Sequence, residues 1–278
     1  MPELPEVRAL AERCDAALAG RAVTAVRVLG FSSLKTVAPS PDALVGERLA
    51  GVSSRGKFLC WRFSNDMCLL CHLGNAGRLD LEAPPNPGAP RGAVLRLTLA
   101  GRAALLREHG RERRAGIWML ASGDDGPLAD LGPEPDEEAF AELLRSGDDH
   151  RHLHTLLRDQ HSVAGIGRGY ADDALQRAGL SPFASLHGLD EAGRARLLES
   201  VRAVLGAALA RERTRTGGLS DASLGDRFAV HRRSGQPCPT CGTPLQRVSY
   251  ESHEVTYCPT CQTRSKILAD RRLSRLLR

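Results

Sequence analysis

The spacing of apolar residues changes soon after the start of the chain. Over Pro5–Ala19, residues such as Val7 and Leu10 recur every three or four positions, which predicts an amphipathic helix ended by Gly20. Shorter runs rich in β-branched and aromatic residues follow, and they predict strands. These runs are Ala22–Leu29, Arg48–Ser54, Lys57–Phe63, Met67–Leu73, Val94–Leu99 and Ala103–Arg107. With Glu82–Arg91 as a loop, the first ~120 residues predict a β-sandwich or barrel with a helix attached.

The second half of the chain has a helical pattern. It begins after Ser122–Glu137, an acidic segment with prolines that predicts a linker. Helical spacing then recurs in separate stretches. They are Glu138–Leu144, His152–Gln160, Tyr170–Ala178 and Glu191–Arg211. Thr214–Arg227 predicts a loop, and a cysteine-bearing module comes after it. The resulting α+β chain divides into predicted modules over residues 1–125, 136–228 and 229–278.

Composition narrows the class of protein. A chain of 278 residues with 42% hydrophobic and 26% charged residues suits two medium domains, or one domain with appendages. It has no long apolar run that would span a membrane and no secretory signal at its start. We therefore expect a cytoplasmic protein, in which the eight cysteines are thiols or metal ligands rather than disulfides.

Positive charge is concentrated near the carboxyl end. The whole chain carries +5, whereas Asp226–Arg278 has ten Lys/Arg against four Asp/Glu, or +6. The first 225 residues therefore carry −1. A basic segment indicates a polyanionic partner, with a solvated tail as the alternative. The same alternatives apply to the terminal run Arg271–Arg278.

Paired cysteines predict a metal site. Cys238, Cys241, Cys258 and Cys261 form a C-x2-C-x16-C-x2-C pattern with hairpin residues between the pairs. Such pairs suit one tetrahedral Zn²⁺ ion, and four sulfur ligands leave no open position for a substrate, so the ion is structural. Four unrelated buried cysteines are the alternative, which the paired spacing disfavours.

Cys68 and Cys71 have the same spacing but lie in an apolar strand. Residues three apart on a strand point to opposite faces, so these two sulfurs cannot share a metal. We interpret them, together with Cys14 and Cys60, as core residues or free thiols.

The amino terminus carries candidate chemistry. Removal of Met1 would expose the secondary amine of Pro2, which titrates near pH ~8 and is nucleophilic when neutral. Glu3 beside it is a potential acid or base. The alternative is that Pro2 and Pro5 merely start a helix.

A glycine-rich turn joins two predicted helices. Asp159–Tyr170 contains Gly165, Gly167 and Gly169, which permit close backbone approach, and Arg168, which adds positive charge. The free N–H groups of the following helix suit an anion. A plain interhelical turn is the alternative.

Together these segments resemble the Fpg/Nei family of DNA glycosylases. The similarity runs in family order through the amino-terminal start, the hairpin with a second catalytic lysine, the intercalating-loop segment, the helix–two-turn–helix motif and the zinc finger. In this chain the segments are Pro2–Val7, Arg55–Phe58, His72–Gly77, Leu156–Asp172 and the residues from Gly235 onward. The resemblance implies an amino-terminal β-sandwich domain, a helix–two-turn–helix domain and a hairpin zinc finger.

The resemblance also implies base excision from damaged DNA. The damaged nucleotide is flipped out of the duplex, and the nitrogen of Pro2 attacks C1′ to form a Schiff base. Glu3 protonates the sugar or assists ring opening, Lys57 contacts a nearby phosphate, and Glu6 supports the amino terminus. β- and δ-elimination then cut the strand. The implied protein is a monomer with one structural Zn²⁺, no small-molecule cofactor and no membrane partner.

Two phosphate-binding positions depart from the family pattern. The resemblance implies DNA contacts at Gly165, Gly167 and the two residues that differ. Arg168 stands where the family usually has asparagine, and it can still bind phosphate. His253 stands where the family usually has arginine, and it binds phosphate when protonated, more weakly as pH rises. An equal alternative is that His253 only caps the hairpin.

The residues that fill the space of the flipped base also differ. The Fpg branch uses methionine, arginine and phenylalanine, and the matching residues here are Asn75, Arg113 and Ala115. Only the arginine is kept, which argues against an 8-oxoguanine specialist. A turn role for Asn75 is an equal alternative, and Leu73 or the Glu108–Arg114 loop is an alternative wedge.

These departures leave other functions open. A damage- or junction-binding protein of the same fold, with lost or narrowed excision, is one. An enzyme for bulky or cross-linked adducts is another, favoured by the small Ala115. The retained Pro2, Glu3, Glu6 and Lys57 favour the excising enzyme, provided that Met1 is removed, since otherwise the Pro2 nitrogen is an amide.

Overall fold

An antiparallel sandwich follows the first helix, α1 (Leu4–Leu18), in a computed structural model. Within the described residues, eight strands form two four-stranded sheets, ordered β1-β6-β7-β5 and β2-β3-β4-β8. The strands are β1 (Val23–Val28), β2 (Leu49–Arg55), β3 (Phe58–Phe63), β4 (Cys68–His72), β5 (Gly77–Glu82), β6 (Ala93–Leu99), β7 (Arg102–Glu108) and β8 (Gly116–Leu120). All the pairs are antiparallel. The predicted sandwich with an attached helix is therefore confirmed.

One apolar core holds α1 against the strands. The helix buries Val7, Leu10 and Cys14 in a cluster that also contains Trp61 of β3 and Leu97 of β6. Burial of apolar area at about 25 cal/mol per Å² is the main force that fixes such a helix. The helix start, and with it the amino terminus, is therefore held by the sandwich.

Two strands, β5 and β8, are not among those predicted. β5 reads Gly-Arg-Leu-Asp-Leu-Glu, so charged residues alternate with leucine on a strand without β-branched residues. Its Arg78 is nevertheless buried and donates to the Gly77 carbonyl at 2.7 Å, while Asp80 pairs with Arg107 at 2.5 Å. Cross-strand charge pairs, rather than β-propensity, support this strand.

The structure describes residues 1–109, 114–218, 227–250 and 253–268, except for the side chains of Tyr250 and His253. The chain forms two compact units. Unit 1 comprises Met1–Asp130 and Leu209–Leu224, and unit 2 comprises Leu131–Ala208 and Gly225–Arg278. The three-module boundaries given above remain a prediction.

Unit 2 contains the predicted helices with shifted ends. They are α2 (Glu138–Ser146), α3 (Leu153–Arg158), α4 (Arg168–Ala178) and α5 (Glu191–Arg213), which runs on into unit 1. α2 ends at Gly147 and α4 at Gly179, both with positive φ, the conformation that glycine adopts at least cost. α4 begins two residues before its predicted start because Gly167 is its N-cap.

The cysteine-bearing module is a hairpin followed by one helical turn. β9 (Gln246–Tyr250) pairs antiparallel with β10 (His253–Tyr257), and α6 (Pro259–Thr263) follows. Cys258 caps α6 by accepting the Cys261 N–H. Within the described part of the chain, no helix combines the length and the apolarity that a membrane crossing requires.

Candidate active site and DNA-contact residues

A reciprocal capping box fixes the start of α1. Glu3 is the N-cap, and its backbone N–H donates to Glu6 Oε2 at 2.7 Å, while the Glu3 carboxylate accepts the backbone N–H of Glu6. Both side chains are buried, and so is Pro2. The box holds the backbone on either side of the Pro2–Glu3 peptide in one conformation.

Lys57 lies in the tight turn between β2 and β3. Arg55 pairs with Phe58 across the turn, and Gly56 has a φ of +57°, which glycine adopts without strain. The Lys57 side chain is only 5% exposed. A buried ammonium is costly unless it meets anionic or polar groups, so Lys57 is not a solvated hairpin lysine.

His72, at the end of β4, connects Lys57 with the amino terminus. It pairs with Phe58 across the strands, and the two rings lie 5.0 Å apart. Burial lowers the pKa of His72 to about 4, with further lowering by the positive charges of Lys57 and the amino terminus. Both charges therefore act on one imidazole, and we interpret Lys57, His72 and the chain start as parts of one candidate site.

The hydrogen bonding of His72 assigns its ring form. Its Nδ1 accepts the Gly74 N–H at 3.2 Å, so Nδ1 carries no proton and Nε2 carries the ring hydrogen at neutral pH. His72 belongs to the His72–Gly77 segment, but the sequence alone predicts no role for it in the site. The signal that could have found it is the antiparallel register, which sets the residue after Lys57 opposite His72.

The segment after His72 places Asn75 at the surface. Gly74 has a φ of +59°, and a Cβ there would lie 2.8 Å from the Arg114 carbonyl group, so only glycine fits this approach. Asn75 is exposed, as a contact residue requires. Leu73 is buried in the core, so the alternative that it supplies a wedge is wrong.

Of the other residues predicted near the flipped base, Ala115 is also buried in the core. Its N–H and that of Arg114 donate to Glu108 Oε1 at 2.8 and 2.6 Å. Arg113, and with it most of the Glu108–Arg114 loop, lies outside the described residues. Its DNA contact remains a prediction.

The glycine turn before α4 is braced by Gln160. Its Oε1 accepts the Gly165 N–H at 3.0 Å, and its Nε2 donates to the Ile166 carbonyl at 2.7 Å. Gly165 and Gly167 are buried and Arg168 is exposed at the first position of α4. The N–H groups of a helix start together with an exposed arginine suit a phosphate.

His253 is the first residue of β10 and pairs with Tyr250. Its backbone is described, but its side chain is not, so its contact with phosphate remains a prediction.

Gly169, the second residue of α4, has a packing role. A Cβ at Gly169 would lie 2.0 Å from the Phe228 ring, so this glycine is required by packing in unit 2.

The cysteine-bearing module, called the zinc ribbon or the ribbon below, comprises the residues from Gly235 onward. Its four cysteines have the geometry of one zinc site. The ligand atoms of Cys238, Cys241, Cys258 and Cys261 all lie within 4.8 Å of one another. The Sγ atoms of Cys238 and Cys261 are 3.9 Å apart, and those of Cys241 and Cys258 are 3.5 Å apart. Tetrahedral zinc with bonds of about 2.3 Å requires sulfur separations of about 3.8 Å. The site fits one structural Zn²⁺.

The other four cysteines are buried thiols. Cys71 packs with Cys14 in the main core, whereas Cys68 packs with Cys60 in a separate cluster. Burial raises the pKa of Cys14 to about 12 and raises that of Cys71 as well. The prediction that these cysteines are core thiols is confirmed.

Known proteins match this arrangement over nearly the whole chain. Residues 1–116 match the formamidopyrimidine-DNA glycosylase N-terminal domain, 131–219 match its H2TH domain, and 235–264 match the zinc finger found in FPG and IleRS. A formamidopyrimidine-DNA glycosylase of Thermus thermophilus is 36% identical over 94% of this chain and 98% of its own length. This chain belongs to the formamidopyrimidine-DNA glycosylase family.

Solved structures of formamidopyrimidine-DNA glycosylases (Fpg) share the fold. MutM (Fpg) from Thermus thermophilus matches with a TM-score of 0.78 at 34% identity, over 94% of this chain and 98% of that one. Lactococcus lactis Fpg, in a complex with DNA that contains N7-benzyl-Fapy-dG, matches with a TM-score of 0.83. Its identity is 23%, over 94% of this chain and all of that one, so this second likeness is one of fold.

The site of this Fpg family member combines three chemical capacities in unit 1. The chain start can supply a secondary amine once Met1 is removed. Two buried carboxylates, Glu3 and Glu6, lie beside it. Lys57 and neutral His72 supply a positive charge and an N–H donor, which suit a phosphate or a developing oxyanion.

Proposed function

We propose that this protein is a bifunctional DNA glycosylase and AP lyase that acts as a monomer on damaged DNA and excises oxidised or otherwise modified bases. The observation that carries the proposal is the burial of Glu3, Glu6 and Lys57 in unit 1, within residues 1–116 that match the formamidopyrimidine-DNA glycosylase N-terminal domain. The names of the relatives make formamidopyrimidines the first lesions to test.

In the proposed reaction, the neutral amine of Pro2 attacks C1′ of a flipped nucleotide. The bond from C1′ to the base breaks, and the base leaves with the bonding electrons. Glu3 gives a proton to the sugar ring oxygen as the C1′–O4′ bond opens, and loss of the amine proton leaves an iminium. The reaction therefore requires Glu3 to be protonated at that moment.

The lyase steps follow from the iminium. Its positive charge acidifies the C2′ proton, so loss of that proton expels the 3′ phosphate, and a second elimination expels the 5′ phosphate. Lys57 is placed to hold a phosphate beside the reacting sugar, and Glu6 supports Pro2 through its 2.7 Å bond to the Glu3 N–H. One nucleophile thus serves both activities.

The DNA contacts proposed for unit 2 use its glycine turn and its ribbon. The backbone at Gly165 and Gly167, braced by Gln160, and the exposed Arg168 suit one phosphate. His253, at the start of β10, is proposed to hold another when protonated. On unit 1, exposed Asn75 and also Arg113, which lies outside the described residues, are proposed to fill the space of the flipped base. Affinity for DNA should then fall steeply with salt.

Borohydride trapping tests the covalent mechanism. Wild-type protein with Met1 removed should form a covalent adduct with DNA containing an abasic site. Pro2→Gly, or one extra residue retained before Pro2, should nearly abolish the adduct, because the secondary amine is lost. Pro5→Ala is the matched control, since it changes a proline of the same helix start without touching the amine, and it should still be trapped.

The result that would overturn the Pro2 assignment is a trap that survives both changes. A panel of lesions, each opposite each normal base, then defines the substrate. If the protein binds lesions tightly but excises none of those in the panel, the alternative of a damage-binding protein of the same fold is favoured.

A further inference from the structure

A buried carboxylate in unit 2 joins four separate segments of chain. Asp172 lies on α4, one helical turn after Arg168, and is 1% exposed. Its partners come from α3, from the segment before the ribbon and from β10. They are His154, His231 and the backbone N–H of Thr256.

The contacts are close. His231 Nδ1 lies 2.6 Å from Asp172 Oδ2, and the same oxygen accepts the Thr256 N–H at 3.2 Å. His154 Nε2 lies 3.2 Å from the other oxygen, Oδ1. Both imidazoles are at least nine-tenths buried. The contacts of His231 and Thr256 are hydrogen bonds, whereas His154 Nε2 and Asp172 Oδ1 lie close together without hydrogen-bond geometry. A buried carboxylate is tolerated only when donors surround it, so His231 and the backbone at Thr256 are held in place by their hydrogen bonds to Asp172.

The neighbouring residues of α4 bind the ribbon and the segment before it. Asp173 accepts the backbone N–H groups of Ala229 and Val230 at 2.7 and 2.9 Å. Gln176, one turn after Asp172, donates to Thr240 Oγ1 at 2.9 Å, two residues from the zinc ligand Cys238. One polar face of α4 therefore carries the ribbon, and the exposed Arg168 begins that helix.

We propose that Asp172 is a positioning residue for DNA binding: with His154 and His231 it sets the distance between the phosphate-binding turn at Arg168 and the zinc ribbon. This inference rests on the proposed DNA contact of Arg168. Asp172 itself touches no DNA. It acts by keeping the turn and the ribbon in a fixed relative position. Both can then contact DNA without a loss of conformational entropy on binding.

The test is Asp172→Asn, which keeps the shape of the side chain but presents an NH₂ group to one of the buried donors. We expect the Kd for a duplex with a tetrahydrofuran abasic analogue to rise about tenfold. We expect the single-turnover excision rate at saturating protein to change less than about twofold, because Pro2 and Lys57 belong to unit 1. Asp148→Asn, an exposed carboxylate of the same unit, is the matched control and should leave the Kd unchanged.

Two further measurements separate positioning from folding. In an Arg168→Ala background, Asp172→Asn should weaken binding by less than about twofold, because the contact through which it acts is already lost. Each variant should still hold one zinc ion per chain. An unchanged Kd, loss of zinc, or the same tenfold penalty in the Arg168→Ala background would overturn the inference.

A second pair of variants keeps the test valid if Asp172→Asn does not fold. His231→Gln retains an N–H that can donate to Asp172, whereas His231→Leu does not. The leucine variant should bind DNA about tenfold more weakly, and the glutamine variant should recover most of that loss. Equal effects of the two would overturn the inference. Absence of abasic-site binding by the wild type would instead refute the proposed function itself.

Discussion

Replacement of His72 by asparagine is the most direct test of the site in unit 1. The Asn Oδ1 atom can take the position of His72 Nδ1 and accept the Gly74 N–H, so the turn after β4 is kept. The titratable ring, however, is removed. The variant therefore separates the protonation of His72 from the shape of the segment that carries Asn75.

The size of the effect follows from the depressed pKa. The pKa of His72 falls from 6.5 to about 4 because the ring is buried and lies near the positive charges of Lys57 and the amino terminus. The folded protein thus binds fewer protons than the unfolded chain, and stability falls as pH falls through 6.5, with the full loss reached below the folded pKa. Between about pH 7 and about pH 5, this group alone should remove about 2 kcal/mol of unfolding free energy.

Urea unfolding monitored by tryptophan fluorescence measures this loss. Both tryptophans of the chain, Trp61 and Trp118, lie in unit 1, so the signal reports the unit that contains His72. The wild type should lose about 2 kcal/mol more than His72→Asn between the two pH values. His109→Asn, which removes an exposed imidazole of the same unit, should behave like the wild type. The reasoning is refuted if His72→Asn and the wild type show the same pH dependence.

Two other predictions concern a packed glycine and the buried lysine. Gly169→Ala should lower the free energy of unfolding by about 1–3 kcal/mol, because its Cβ would meet the Phe228 ring. Gly206→Ala is the control, because Gly206 lies in open space on α5, and it should raise the free energy of unfolding by about 1 kcal/mol. Thermal unfolding measures both changes. Stabilisation by Gly169→Ala together with destabilisation by Gly206→Ala would contradict the packing. Lys57→Gln should shift the pH midpoint of borohydride trapping upward, because loss of a neighbouring positive charge raises the pKa of the Pro2 amine. An unmoved midpoint would show that Lys57 does not act on the amine.

Local signals in the sequence predict most of the fold. The helix of Pro5–Ala19, the alternating strands and the paired cysteines each leave a pattern within a few residues of chain, and each is confirmed. β5 leaves no such pattern, because its buried Arg78 and paired Asp80 resemble the residues of a surface loop. Its support comes from β7, which lies about twenty residues later in the chain.

The site residues likewise divide into those that a local sequence pattern predicts and those that only the fold identifies. Pro2, Glu3 and Lys57 can be proposed from sequence because each belongs to a short motif. His72 and Asp172 cannot, because their importance depends on which residues the fold brings near them. A histidine at the end of a strand acquires its lowered pKa only when the fold buries its ring and brings the positive charges of Lys57 and the amino terminus near it. Such properties of a residue belong to its environment and not to its neighbours in sequence.

The two interpretations of the amino terminus, a helix start and a reactive centre, require one another. A proline amine can attack C1′ repeatedly only if the flexible end of a chain is held in one place, and chain ends are ordinarily poorly ordered. Here the capping box that starts α1 uses Glu3 and Glu6 to fix the backbone next to Pro2, and the core holds the helix itself. The residues that begin the helix therefore also hold the backbone next to Pro2, the proposed nucleophile.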